Sequence, residues 1–129
     1  MTEDEFVTWV SLHAPSLRSL LDALEEDWGE APPQTEVALF VIIPGFIDAL
    51  RRRDAVATSE IAELLEKMCT HADEDLPTNI VLTIAPHLAG KLAPHELTET
   101  LGRCMALEVA PYLSTHDNRP PSTQRFPRG

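Results

Sequence analysis

Residues 37–54 read VALFVIIPGFIDALRRRD, and the reading of this stretch decides the fold. The β-branched residues Val37, Val41, Ile42 and Ile43 suit a buried strand. A lone strand leaves its backbone groups without partners, and no second strand candidate occurs elsewhere in the chain. Read as a helix, the stretch places Val37, Phe40, Val41, Ile47 and Leu50 on one side and Leu39, Ile43 and Phe46 on another. Burial on two sides is the pattern of a helix at the centre of a bundle. Pro44 costs an unbroken helix about 3 kcal/mol and Gly45 up to about 1 more, so a kink is expected there. Arg51, Arg52 and Arg53 then sit at the C-terminal end, where cations complement the helix dipole. The expectation is a kinked central helix over residues 35–53.

Other helices are legible on either side. Thr2 and Glu5 have capping-box spacing, and Phe6, Trp9, Val10 and His13 follow at helical period. Pro15 is placed as the first residue of a second helix, whose apolar stripe is Leu17, Leu20, Leu21, Leu24 and Trp28 and whose stop is Gly29. Thr58 or Ser59 is the expected cap of a fourth, carrying Ile61, Leu64, Leu65 and Met68. Asp75 suits the N-cap of a fifth with Ile80, Val81, Ile84 and Leu88, bent or shortened at Pro86. Pro94 opens a sixth with Leu97, Leu101, Met105 and Val109. The sum is an all-α protein of about six helices in a compact, antiparallel, HEAT-like bundle, occupying residues 1–113. The Pro- and Arg-containing segment 114–129 reads as a disordered tail.

The formal charge of the 129 residues is −11. Beyond residue 113, Arg119, Arg125 and Arg128 stand against Asp117 alone, a local charge of +2, which leaves −13 on the body before it. Such a body repels nucleic-acid phosphates and favours basic partners. The acidic N-terminus and the lack of a long apolar run point to neither secretion nor membrane. Cys69 and Cys104 have no CxxC or Cys/His spacing, and two isolated thiols fit a reducing cytoplasm.

Catalytic patterns are absent from the sequence. There is no GxSxG turn and no phosphate-cradling glycine loop. His71 with Asp75, and His95 with Glu99, are pairs at four-residue spacing, short of the convergent ligands that a metal needs. The expectation is therefore a protein that is not an enzyme and has no cofactor. What stands out is EEDW at 25–28. Glu25, Glu26 and Asp27 oppose the dipole at the C-terminal end of the second helix, and Trp28 beside them suits a binding hot spot. Asp73, Glu74 and Asp75 form a second acidic cluster, the last of them also a helix cap.

A family resemblance adds to this. Leu50, Arg51 and Asp54 form a turn after an apolar helix. Glu66 lies mid-helix beyond it, and Asp73-Glu74 precede Asn79-Ile80. Across residues 37–92 this order resembles a bacterial family of small acidic all-helical proteins similar to the immunity partners of polymorphic secreted toxins. Pro44-Gly45 and Arg52-Arg53 depart from the family's pattern. The resemblance implies a cytoplasmic inhibitor that occludes one cognate toxin, a basic protein partner, through its acidic surface. The alternative in another class is a HEAT-like scaffold or adaptor that self-associates or bridges partners.

Overall fold

Thr2 and Glu5 open the first helix by a reciprocal cap in the computed structural model, which describes residues 2–70 and 78–117. The Thr2 N–H donates to Glu5 Oε1 at 2.7 Å, and the Glu5 N–H donates to Thr2 Oγ1 at 3.2 Å. Helix α1 (Glu3–His13) buries Phe6, Val7 and Val10. Pro15 begins a 3-10 turn, Pro15–Leu17, that leads directly into α2 (Arg18–Trp28). Gly29 ends α2 at φ 74°, a left-handed conformation that glycine adopts without strain, and its N–H donates to the Glu25 carbonyl at 2.8 Å.

The central helix α3 covers residues 34–52 without a break in helical backbone. It runs as Gln34–Val37, then a π turn over Ala38–Ile42, then Ile43–Arg52. The expected irregularity at Pro44 takes this form because proline has no N–H to give the preceding turn. The turn widens so that the Ile43 N–H reaches back five residues to the Ala38 carbonyl. Val37, Val41, Ile42, Ile43, Phe46 and Ile47 are buried, and α3 packs against α1, α2, α4 and α5. Phe40 is a correction: it is 57% exposed rather than on a core face. The wide turn shifts the helical register, and the side chain four residues before Pro44 lies towards solvent.

Gly45 has a packing role. A Cβ built there would collide with Leu17 Cδ2, and Leu17 is buried beneath it. The missing side chain lets the second half of α3 lie close on the turn before α2.

At the end of α3, Arg53 takes a left-handed conformation, φ 58°. The Arg53 N–H donates to the Leu50 carbonyl and the Asp54 N–H to the Ala49 carbonyl, the paired bonds of a Schellman ending. Asp54 then caps α4 (Ala55–Thr70), accepting the Ala57 N–H on Oδ1 at 3.1 Å. The expected caps, Thr58 and Ser59, are instead inside the helix. Two adjacent residues close α3 and open α4, so the corner needs no loop.

Helix α5 (Thr78–Lys91) packs chiefly along α7 (Arg103–Asp117), with the short α6 (Pro94–Thr100) between them in sequence. Pro94 begins α6 as expected, and Glu96 Oε1 accepts the Ala93 N–H at 2.9 Å. The expected sixth helix is divided at Leu101, which is extended at φ −81°, ψ 147°. Seven helices result among the described residues, with no strand, and the fold is all-α. Helix α7 continues past residue 113 to Asp117, into the segment expected as a tail.

Three prolines lie within helices, Pro44, Pro86 and Pro111. The carbonyls they leave without a four-residue partner belong to Phe40, Leu82 and Leu107, exposed at 57%, 53% and 67%.

Candidate interaction surface and the clasp of the last helix

The acidic end of α2 stands at the surface. Leu17 and Leu21 are buried, Leu24 is half-buried, and Trp28 is 45% exposed. The apolar stripe therefore leaves the core along the helix, and Trp28 does not close it. Glu26 and Asp27 are exposed and Glu25 is partly covered, facing a small cavity of about 220 Å³ between α1 and α2. Arg18, nearer the start of α2, pairs with Asp22 at 3.4 Å, and both are largely exposed. Thus the C-terminal end of α2 carries Glu26, Asp27 and Trp28 exposed, with Glu25 partly covered on the side of α1. The second predicted cluster, Asp73, Glu74 and Asp75, lies outside the described residues, as does His71.

A larger cleft, about 620 Å³, opens between the α3–α4 corner and the joint of α6 with α7. Leu50, Ala62 and Leu101 give it an apolar floor, with Arg53, Glu63 and Glu99 among its polar lining. Its end wall is Glu66. The Glu66 carboxylate accepts the Cys104 N–H on Oε2 at 2.9 Å and the Met105 N–H on Oε1 at 3.0 Å. Those are the second and third residues of α7, the positions that a capping side chain normally serves. Gly102 occupies the N-cap position and has no side chain to offer. A Cβ there would come within 2.6 Å of the Glu66 carboxylate. A residue from α4 thus caps α7 across the bundle, and the negative charge complements the helix N-terminus.

One turn further along α4, Cys69 is joined to Cys104 by a disulfide, with the Cα atoms 6.0 Å apart. This corrects the reading of two isolated thiols: both sulfurs are bonded and no free thiol remains. It also removes the cysteine argument for a reducing compartment, since disulfides persist where the surroundings are oxidising. Sequence spacing held no sign of the pair, because 35 residues separate the partners. The signal that was available is on α4, where Glu66 and Cys69 stand three apart on one helix face and meet the same turn of α7.

Among the described residues, no three His, Cys, Asp or Glu side chains converge as metal ligands, and no helix is long and apolar enough to cross a membrane. No family model, curated protein or solved structure matches this chain. What fold and surface define is an all-α helical bundle with an acidic, tryptophan-bearing edge.

Proposed function

We propose that this chain is a non-enzymatic protein-binding protein, an immunity-type inhibitor that occludes a basic cognate toxin. The observation that carries the reading is the exposure of Trp28 beside Glu25, Glu26 and Asp27. A tryptophan that leaves its own stripe to stand at 45% exposure carries apolar area for a partner to bury. The three carboxylates beside it, on a body of charge −13, attract a cationic active-site region and speed encounter. Opposing the α2 dipole costs a few tenths of a kcal/mol per group, a small penalty for that placement.

The test is retention of proteins from the native source on the immobilised chain, at low and moderate salt. One basic protein should be retained near one-to-one and lost with the Glu25, Glu26, Asp27 triple alanine variant. With that partner in hand, the triple variant should slow association and weaken its salt dependence, while Trp28→Ala should speed dissociation. Kinetics unchanged in both variants would refute the assignment of this surface. A stable homo-oligomer in light scattering, with no basic partner, would favour a scaffold.

A further inference from the structure

Apart from the Glu66 cleft, α3 and α5 enclose a groove of about 540 Å³. That volume lies within the usual range of small-molecule sites. Its floor is apolar: Ile43 and Ile47 are buried, Leu39 is half-buried, and Pro44 forms part of the edge. Leu39 belongs to the π turn and Ile43 and Pro44 follow it directly, so the wide turn shapes this wall. Such turns recur at functional sites in helices.

The rim has the opposite charge to the rest of the body. Arg51 from α3 and Lys91 from α5 both line the groove, and neither forms an ion pair with a described residue. Asp48 is the acid of the lining, and its carboxylate is engaged by Arg52 Nε at 2.8 Å. His87 completes the rim, and its Nδ1 donates to the Thr83 carbonyl at 2.9 Å. Cations at helix C-termini are common because they complement the dipole. Here, however, two helices bring theirs to the same apolar cavity, on a protein whose net charge is −11. We propose that the groove between α3 and α5 binds an amphipathic anion, a carboxylate or phosphate head on an apolar chain. The chain lies over Leu39, Ile43 and Ile47, and the head meets Arg51 and Lys91, with His87 beside them.

The full-length chain, disulfide intact, is titrated with decanoate, decyl phosphate and decyltrimethylammonium below their micelle-forming concentrations, and with acetate and inorganic phosphate. Calorimetry gives affinity, and methyl NMR shifts of Ile43 and Ile47 give location. At least one decyl anion should bind at least tenfold more tightly than the decyl cation and than the chainless anions, shifting both isoleucine methyls. Which head binds better identifies the headgroup class. Arg51→Glu and Lys91→Glu change exposed positions and should each weaken the anion tenfold or more. Glu63→Lys, in the other cleft, should leave its affinity unchanged. The proposal is overturned if no decyl anion binds, if the decyl cation binds equally well, or if acetate or inorganic phosphate binds as tightly. Shifts confined to other methyls, or anion affinity indifferent to both charge reversals, overturn it equally.

Discussion

Glu66 caps a helix to which it does not belong: its carboxylate holds the Cys104 and Met105 N–H groups at 2.9 and 3.0 Å, in place of a side chain at Gly102. Two substitutions at this joint report on one interaction. Glu66→Ala should destabilise the protein by about 1–2 kcal/mol, the cost of a lost cap with partly buried donors. Gly102→Ala should cost about 1–3 kcal/mol by driving a Cβ into the carboxylate. In urea unfolding the double variant should fall well short of the sum, because the added methyl then has no carboxylate to displace. Strict additivity would mean that the two residues act separately.

The disulfide works on the same joint through the unfolded chain. Cross-linking residues 35 apart in sequence stabilises by about 3–4 kcal/mol in the loop-entropy model. Calorimetry with and without a dithiol reductant should show a lower Tm for the reduced protein, and Cys69→Ser should reproduce it. An unchanged Tm would place the bond outside the cooperative unit.

Arg53 sits at φ 58° where a side chain is strained. Arg53→Gly should stabilise the protein by about 0.5–1 kcal/mol, since glycine enters this conformation without the Cβ penalty. Asp54→Ala should lose about 1 kcal/mol by leaving the Ala57 N–H without its cap. Chemical denaturation midpoints of the two variants should move in opposite directions.

Glu5 provides a pH marker. The hydrogen bonds that its carboxylate shares with Thr2, backbone first and side chain second, hold its pKa below the ordinary glutamate value. A carboxyl group depressed by folding stabilises the folded state above its unfolded pKa, about 4.3, and loses that contribution as the pH falls through the folded value. NMR titration of Glu5 should show the lowered midpoint, and Thr2→Pro, which removes the donating N–H, should raise it. A midpoint unmoved by Thr2→Pro would detach the shift from the cap.

What the sequence made legible was local. The Thr2–Glu5 box, the Gly29 stop and the stripes of α1, α4 and α5 depend on neighbours within a turn or two, where period and capping chemistry act. Phe40 was misplaced because a fixed helical period does not anticipate the π turn forced by Pro44. Asp54 does not read as a cap in the sequence because nothing in composition shows that Arg53 adopts a left-handed turn and that the next helix starts at once. The division between α6 and α7 was invisible for a different reason. Gly102 weakens a helix only modestly, and the group that makes a new start favourable there, Glu66, arrives from far away in sequence. The candidate surface was readable to the extent that it lies on one helix end, Glu25–Trp28. The Glu66 cleft and the α3–α5 groove each need two or more helices to bring their residues together, and no linear spacing encodes them.

The Cys69–Cys104 bond makes residues 69–104 a covalent ring that contains all of α5 and α6. A protease that cuts once anywhere between the two cysteines opens the ring without releasing either piece. Nicked protein should therefore migrate as one species on a denaturing gel and separate into two only after reduction. For a chain that meets partners outside a protected environment, a single scission in this half leaves the helices on both sides of the cut still fastened to one another.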